Sequence, residues 1–177
     1  MKKFAVLILV LVAAYAAYPY LALYRLGEAL QAHDLDAVET KVDWPRLRQG
    51  VKDDVNAALV AKVRPEEGNG FAALGVALAG KLAGPFVDAA VTPAGLVAAM
   101  GADRPTLETL VTQVYISTST DRPLPRLVQS SFSGLAAFDA VVAPKGTNSE
   151  EDRIRLRFEF EGGYWMLTRI HLPVWVK

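Results

Sequence analysis

At 177 residues, 52% of them hydrophobic and none of them cysteine, the chain has room for one ordinary domain plus an apolar surplus. Basic and acidic side chains balance at 19 each, and setting Lys2 and Lys3 aside leaves 17 against 19, a net of −2. That balance argues against a strongly basic face for nucleic acid. The lack of Cys excludes disulfides, thiolate metal sites and a Cys nucleophile.

The surplus sits at the N-terminus. Lys2-Lys3 precede Phe4 to Tyr24, 21 residues without a charged side chain. At about 1.5 Å per residue they reach about 30 Å, the thickness of a bilayer's hydrocarbon core. The lysine pair predicts that the N-terminus stays in the cytoplasm and the rest is exported. Two outcomes stay open. An uncleaved inner-membrane anchor places Tyr15, Tyr18, Tyr20 and Tyr24 in the outer interfacial belt, with the domain in the periplasm. A signal peptide instead uses Ala14-Tyr15-Ala16 as its small-x-small cleavage site and releases the domain. The predicted division is therefore 1–24 as anchor or leader and 25–177 as one domain.

Leu21 to Ala32 reads as a helix, with Leu23, Leu26 and Leu30 at spacings of three and four. His33, at its end, complements the helix dipole. Asp34 is placed to cap a short helix, Leu35 to Lys41. Asp43-Trp44-Pro45 opens the next: Asp as N-cap, Pro in the first turn, where its missing N–H costs little. Leu47, Val51, Val55, Leu59 and Val63 form its apolar stripe, and Asp53-Asp54 reads as its solvated face. Trp44 and Phe71 read as core anchors.

Arg64 to Gly70 is a polar loop, Phe71 to Ala83 is helical, and Gly84-Pro85 breaks that helix before a short helical piece, 86–91. Thr92-Pro93 repeats the cap-and-proline signature, and Gly101 ends that helix. Residues 102–128, with Pro105, Pro123, Pro125 and a Ser/Thr tract, read as a long surface connection. From Ser130 the period changes to two. Phe132 to Val142 is strand-like. Ile154, Leu156, Phe158 and Phe160 alternate with Arg153, Arg155, Arg157, Glu159 and Glu161, the charged row facing solvent. Gly162-Gly163 is a hairpin turn leading into Tyr164 to Leu172. The predicted class is α+β: a membrane-spanning or signal helix, several helices, then a C-terminal antiparallel sheet of three to four strands.

A two-residue turn at Gly162-Gly163 would pair Phe160 with Trp165, Phe158 with Leu167, Leu156 with Arg169 and Ile154 with His171. Arg169 and His171 would then join Trp165 on the apolar face as candidate ligand-binding residues. Arg suits an anionic group, and His titrates near neutral pH. A bulge would move both to the other face. Neither Ser-x-x-Lys, Gly-x-Ser-x-Gly, His-Glu-x-x-His nor a phosphate loop occurs. No catalytic residue, metal or cofactor is predicted.

Pro19-Tyr20, Leu23, Leu26, Asp34, Val42-Asp43-Trp44-Pro45, Leu47 and Arg48 together resemble a bacterial family of proteins of unknown function. Phe132-Ser133-Gly134-Leu135 and Tyr164-Trp165-Met166-Leu167 extend the likeness, which covers most of residues 18–172. More loosely, the order of elements is similar to the cystatin-like or nuclear-transport-factor-like cone, in which a curved sheet wraps a long helix. The resemblance implies an architecture and a location and carries no catalytic residue with it. The expectation is an extracytoplasmic, membrane-associated module. It would bind an apolar or amphipathic ligand such as a lipid, or an envelope protein, with the membrane itself met through residues 4–24. The alternative is a small acid–base enzyme using His171 and Arg169.

Overall fold

The computed structural model of the chain describes residues 2–62, 84–100, 125–143, 150 and 153–171. The expected loop 64–70, the helix 71–83, Phe71 and residues 102–124 of the connection lie outside the described residues. The architecture is α+β, helices first and then one four-stranded antiparallel sheet.

Helix α1, Lys2–Gln31, is continuous. The apolar run and the helix expected from Leu21 are thus one element, which crosses the expected boundary at residue 24 without a break. Its two parts meet different surroundings. The large apolar side chains from Phe4 to Val12 are 48–69% exposed. From Tyr15 onward the helix lies on the sheet, and Tyr18, Pro19, Ala22, Leu23, Leu26, Ala29 and Leu30 recur at spacings of three and four on its packed face. Pro19 is inside the helix and buried, and it has no N–H to give the Tyr15 carbonyl.

The end of α1 is closed by its backbone. The Asp34 amide donates to the Ala29 carbonyl at 3.0 Å and the His33 amide to the Leu30 carbonyl at 3.3 Å. This puts His33 in the left-handed region at φ 56°, where a Cβ costs roughly 1 kcal/mol and glycine is the usual occupant. His33→Gly is therefore expected to raise stability by up to about 1 kcal/mol. That corresponds to about 2–4 °C in thermal midpoint for a chain of this size. A lowered midpoint would show that the ring's contact with the Gln31 carbonyl, 3.1 Å from Nδ1, outweighs the strain.

The predicted caps hold. Asp34 accepts from the Ala37 amide at 3.0 Å and starts α2, Leu35–Glu39. Asp43 accepts from the Arg46 amide at 3.1 Å and starts α3, Trp44–Lys62. Trp44 is buried and donates from its indole to the Glu39 carbonyl at 3.1 Å, which ties α3 back to α2. Residues 84–90 form α4. Thr92 accepts from the Gly95 amide at 3.1 Å and begins α5, Pro93–Met100. Arg48 and Lys52 hold α3 to this segment, Arg48 through the Val91 carbonyl at 3.0 Å and Lys52 through Asp88 at 2.7 Å.

The sheet is a simple meander: β1 Arg126–Gly134, β2 Ala137–Ala143, β3 Ile154–Glu161 and β4 Tyr164–His171, in that spatial order. The expected strand Phe132 to Val142 is a hairpin turning at Leu135-Ala136, and β1 begins at Arg126, inside the stretch read as connection. Its sequence hides it because β1 is an edge strand exposed along nearly its whole length and so has little reason to alternate. On the inner face Phe138, Ala140, Phe158 and Leu167 are buried to 1% exposure or less, and α1 and α3 pack against this core. The other sheet edge is occupied: residues 41–43 run beside β4, with Val42 paired to Leu167 in parallel. The Leu167 amide donates to the Lys41 carbonyl at 3.0 Å and the Asp43 amide to the Leu167 carbonyl at 2.9 Å.

Candidate functional site

Gly162 and Gly163 adopt φ of 60° and 93°. Two consecutive positive values are what a two-residue hairpin of the native twist requires, and glycine meets them without strain. Phe160 pairs with Trp165 and Phe158 with Leu167, as the turn predicts. The register then slips. Arg157 pairs with Arg169, Leu156 with Ile170 and Arg155 with His171, so Thr168 is the extra residue of a bulge. Thr168 is buried, and its hydroxyl donates to the Arg157 carbonyl at 3.3 Å. One inserted residue inverts the faces beyond it. Arg169 and His171 leave the apolar face, and Ile170 takes the inward position between them.

The three candidate residues are accordingly split. Trp165 is 4% exposed, within a ring cluster near the hairpin turns: Tyr15 at 6.0 Å, Phe132 at 6.1 Å, Phe138 at 6.4 Å and Phe160 at 5.5 Å between centroids. Arg169 and His171 stand together toward the other end of β4. Arg169 runs past Gly50 of α3, where an added Cβ would come within 3.2 Å of its Cγ. Its Nη2 lies 2.8 Å from Asp54 Oδ1, and the other Asp54 oxygen is 3.7 Å from His171 Nδ1. Asp54 is the participant that sequence reasoning missed. Read on its own helix it is a solvated carboxylate, and its partners lie more than a hundred residues away.

Burial pulls the His171 imidazole below its usual range; Asp54 opposes this, and Arg169, Arg155 and Arg157 reinforce it. The folded chain thus takes up this proton less readily than the unfolded one. The stability His171 contributes is complete above the unfolded value of about 6.5 and is lost as pH falls through the lower folded value. His171→Gln is expected to lose less stability than the parent between about pH 7.5 and 5, read from urea midpoints. Equal losses would show that His171 has no such role. On the same face the Asp139 carboxyl receives two hydrogen bonds from Arg157, at 2.9 and 3.1 Å, which hold it below the carboxylate range against the opposing effect of burial. The pair explains the charged row of β3 as sheet-surface structure. Among the described residues no three His, Asp or Glu side chains gather as a metal site.

On the other side of β4 lies an apolar cavity of about 130 Å³. Leu26 and Leu30 of α1, Leu47 and Val51 of α3, and Leu156 and Ile170 of the sheet form much of its wall, which is almost entirely hydrocarbon. Neither Arg169 nor His171 lines it. The bulge therefore sorts this end of the domain into a greasy space on one side and a Asp54–Arg169–His171 cluster on the other, with Ile170 between.

No curated protein and no solved structure gives a match to the chain. Residues 8–99, which carry α1 to α3, Asp54 and the helical half of the cavity wall, match the model of a family described as "Protein of unknown function (DUF2939)". The match spans more than half of the 177 residues and stops before the sheet, and by it the chain belongs to this family.

Proposed function

We propose that the chain is a membrane-held module whose domain stands outside the cytoplasm and binds an apolar or amphipathic molecule without transforming it. The cavity carries this reading. A hydrocarbon-lined space of about 150 Å³ stays dry and accepts a small apolar guest, and 130 Å³ suits the end of an acyl chain. Drug-sized ligands and most substrates occupy about 300 Å³ or more. The acid–base alternative would use His171 and Arg169, and these lie across β4 from the cavity.

The anchor is supported by α1, the one described helix long and apolar enough to cross a membrane. Its packing begins at Tyr15, whose hydroxyl donates to the Leu135 carbonyl. Cleavage at Ala16 would discard that contact and a ring of the aromatic cluster, whereas an uncleaved helix keeps both.

Calorimetric titration of the full chain in detergent-free nanodiscs with decanoate tests the binding. Uptake of heat at one site, weakened at least about tenfold by Ala99→Leu, which fills the cavity, is expected. Binding that ignores the filled cavity refutes it. Titration with decanol beside decanoate then tells an amphipathic ligand that needs its carboxylate from a purely apolar one. Fractionation and intact mass address the anchor, for which the membrane fraction should hold the full 19.2 kDa chain.

A further inference from the structure

We infer that the two hairpin turns beside α1, Leu135-Ala136 and Gly162-Gly163, rest in the headgroup layer of the bilayer, so that the domain lies against the membrane. The inference depends on the membrane-held reading above and concerns what else of the chain meets lipid.

Length is the first argument. The part of α1 free of the sheet, Phe4 to Ala14, reaches only about 16 Å, roughly half of a hydrocarbon core. The sheet is packed on α1 from Tyr15, so a bilayer entered by Phe4 to Ala14 meets the sheet directly. Whatever touches Tyr15 and Tyr18 is carried to the outer leaflet with them.

Those contacts are the turns. Tyr15 donates to the Leu135 carbonyl and Tyr18 to the Gly163 carbonyl, the latter at 3.2 Å. Backbone carbonyls without a donor are costly near lipid, and here α1 itself satisfies one in each turn. The side chains at the turns suit the same place. Leu135 is 89% exposed and Tyr164 68%, the two most exposed large apolar side chains among the described residues that follow the free stretch of α1. They stand at the turns that Tyr15 and Tyr18 of α1 touch. Tyr at a membrane–water boundary puts its ring among the acyl chains and its hydroxyl in water.

Charge sets the depth. Glu161, next to Gly162, pairs with Arg46 at 2.9 Å, and this exposed ion pair keeps the turns at headgroup level.

The chain has no cysteine, so single substitutions can be labelled cleanly. The full chain carrying Leu135→Cys, Tyr164→Cys, Ile8→Cys or Asp36→Cys is labelled with an environment-sensitive nitrobenzoxadiazole dye. It is then reconstituted in phosphatidylcholine–phosphatidylglycerol vesicles. Expected are blue-shifted emission and loss of most fluorescence to headgroup-level nitroxide lipids at 135 and 164. The label at 8 should be quenched from deeper in the acyl chains, and that at 36 only by aqueous iodide. Lipid access at 8 with iodide-only access at both 135 and 164 overturns this inference and leaves the anchor standing. Iodide access at 8 as well overturns the membrane reading and this inference with it.

Discussion

A chain shortened to begin at Asp34 is expected not to fold, whereas one beginning at Tyr15 keeps its cooperative unfolding transition. Deleting residues up to 33 removes Leu26, Ala29 and Leu30, each 7% exposed or less, together with buried Pro19. At about 1.5–3 kcal/mol for each large apolar side chain, the loss passes roughly 5 kcal/mol. A domain has about 5–15 kcal/mol in total. The shorter deletion removes only side chains that touch little of the domain. Urea titration followed by circular dichroism distinguishes the two, and a sharp native-like transition for the chain from Asp34 would show that α1 is dispensable. The comparison separates the structural role of α1 from its length as a membrane span.

Phe158→Ala is expected to lower stability by about 3–5 kcal/mol, the cost of a large aromatic removed from a closed core. Phe158 is 1% exposed at the middle of β3, flanked by Phe138 on β2 and Leu167 on β4. The residual cavity would sit between strands whose backbones are fixed by pairing on both sides, so collapse around it is limited. The thermal midpoint should fall by on the order of 10 °C. Leu135→Ala, by contrast, alters a side chain 89% exposed and is expected to stay within about 0.5 kcal/mol. A Phe158→Ala loss below about 1 kcal/mol would mean that the sheet's inner face is loosely packed.

What was legible in the sequence is what local chemistry decides. Asp34, Asp43 and Thr92 each bond the amide three residues ahead, and Gly162-Gly163 meets a demand made by two consecutive backbone angles. The alternation from Ile154 to Phe160 shows because that strand has one buried and one charged face. Legibility stopped where distant parts of the chain decide. The bulge at Thr168 follows a residue pinned from outside, Leu167, which is bonded to residues 41–43. Nothing in the order Leu167-Thr168-Arg169 announces this, so the expected pairing of Arg169 with Leu156 lost its register. Asp54 gained its meaning only from β4. The hairpin at Leu135 lacks the Asn-Gly or Gly-Gly signal that made its neighbour plain.

The unbroken course of α1 has a mechanical consequence. An ordinary tethered domain swivels on a slack linker and takes no orders from its tether. Here the first three turns of α1 and the sheet are joined by a stiff rod, and its natural weak point, Pro19, is clamped by packing. Whatever grips the start of that rod fixes the tilt of the whole sheet, and a few degrees at one end are repeated at the other.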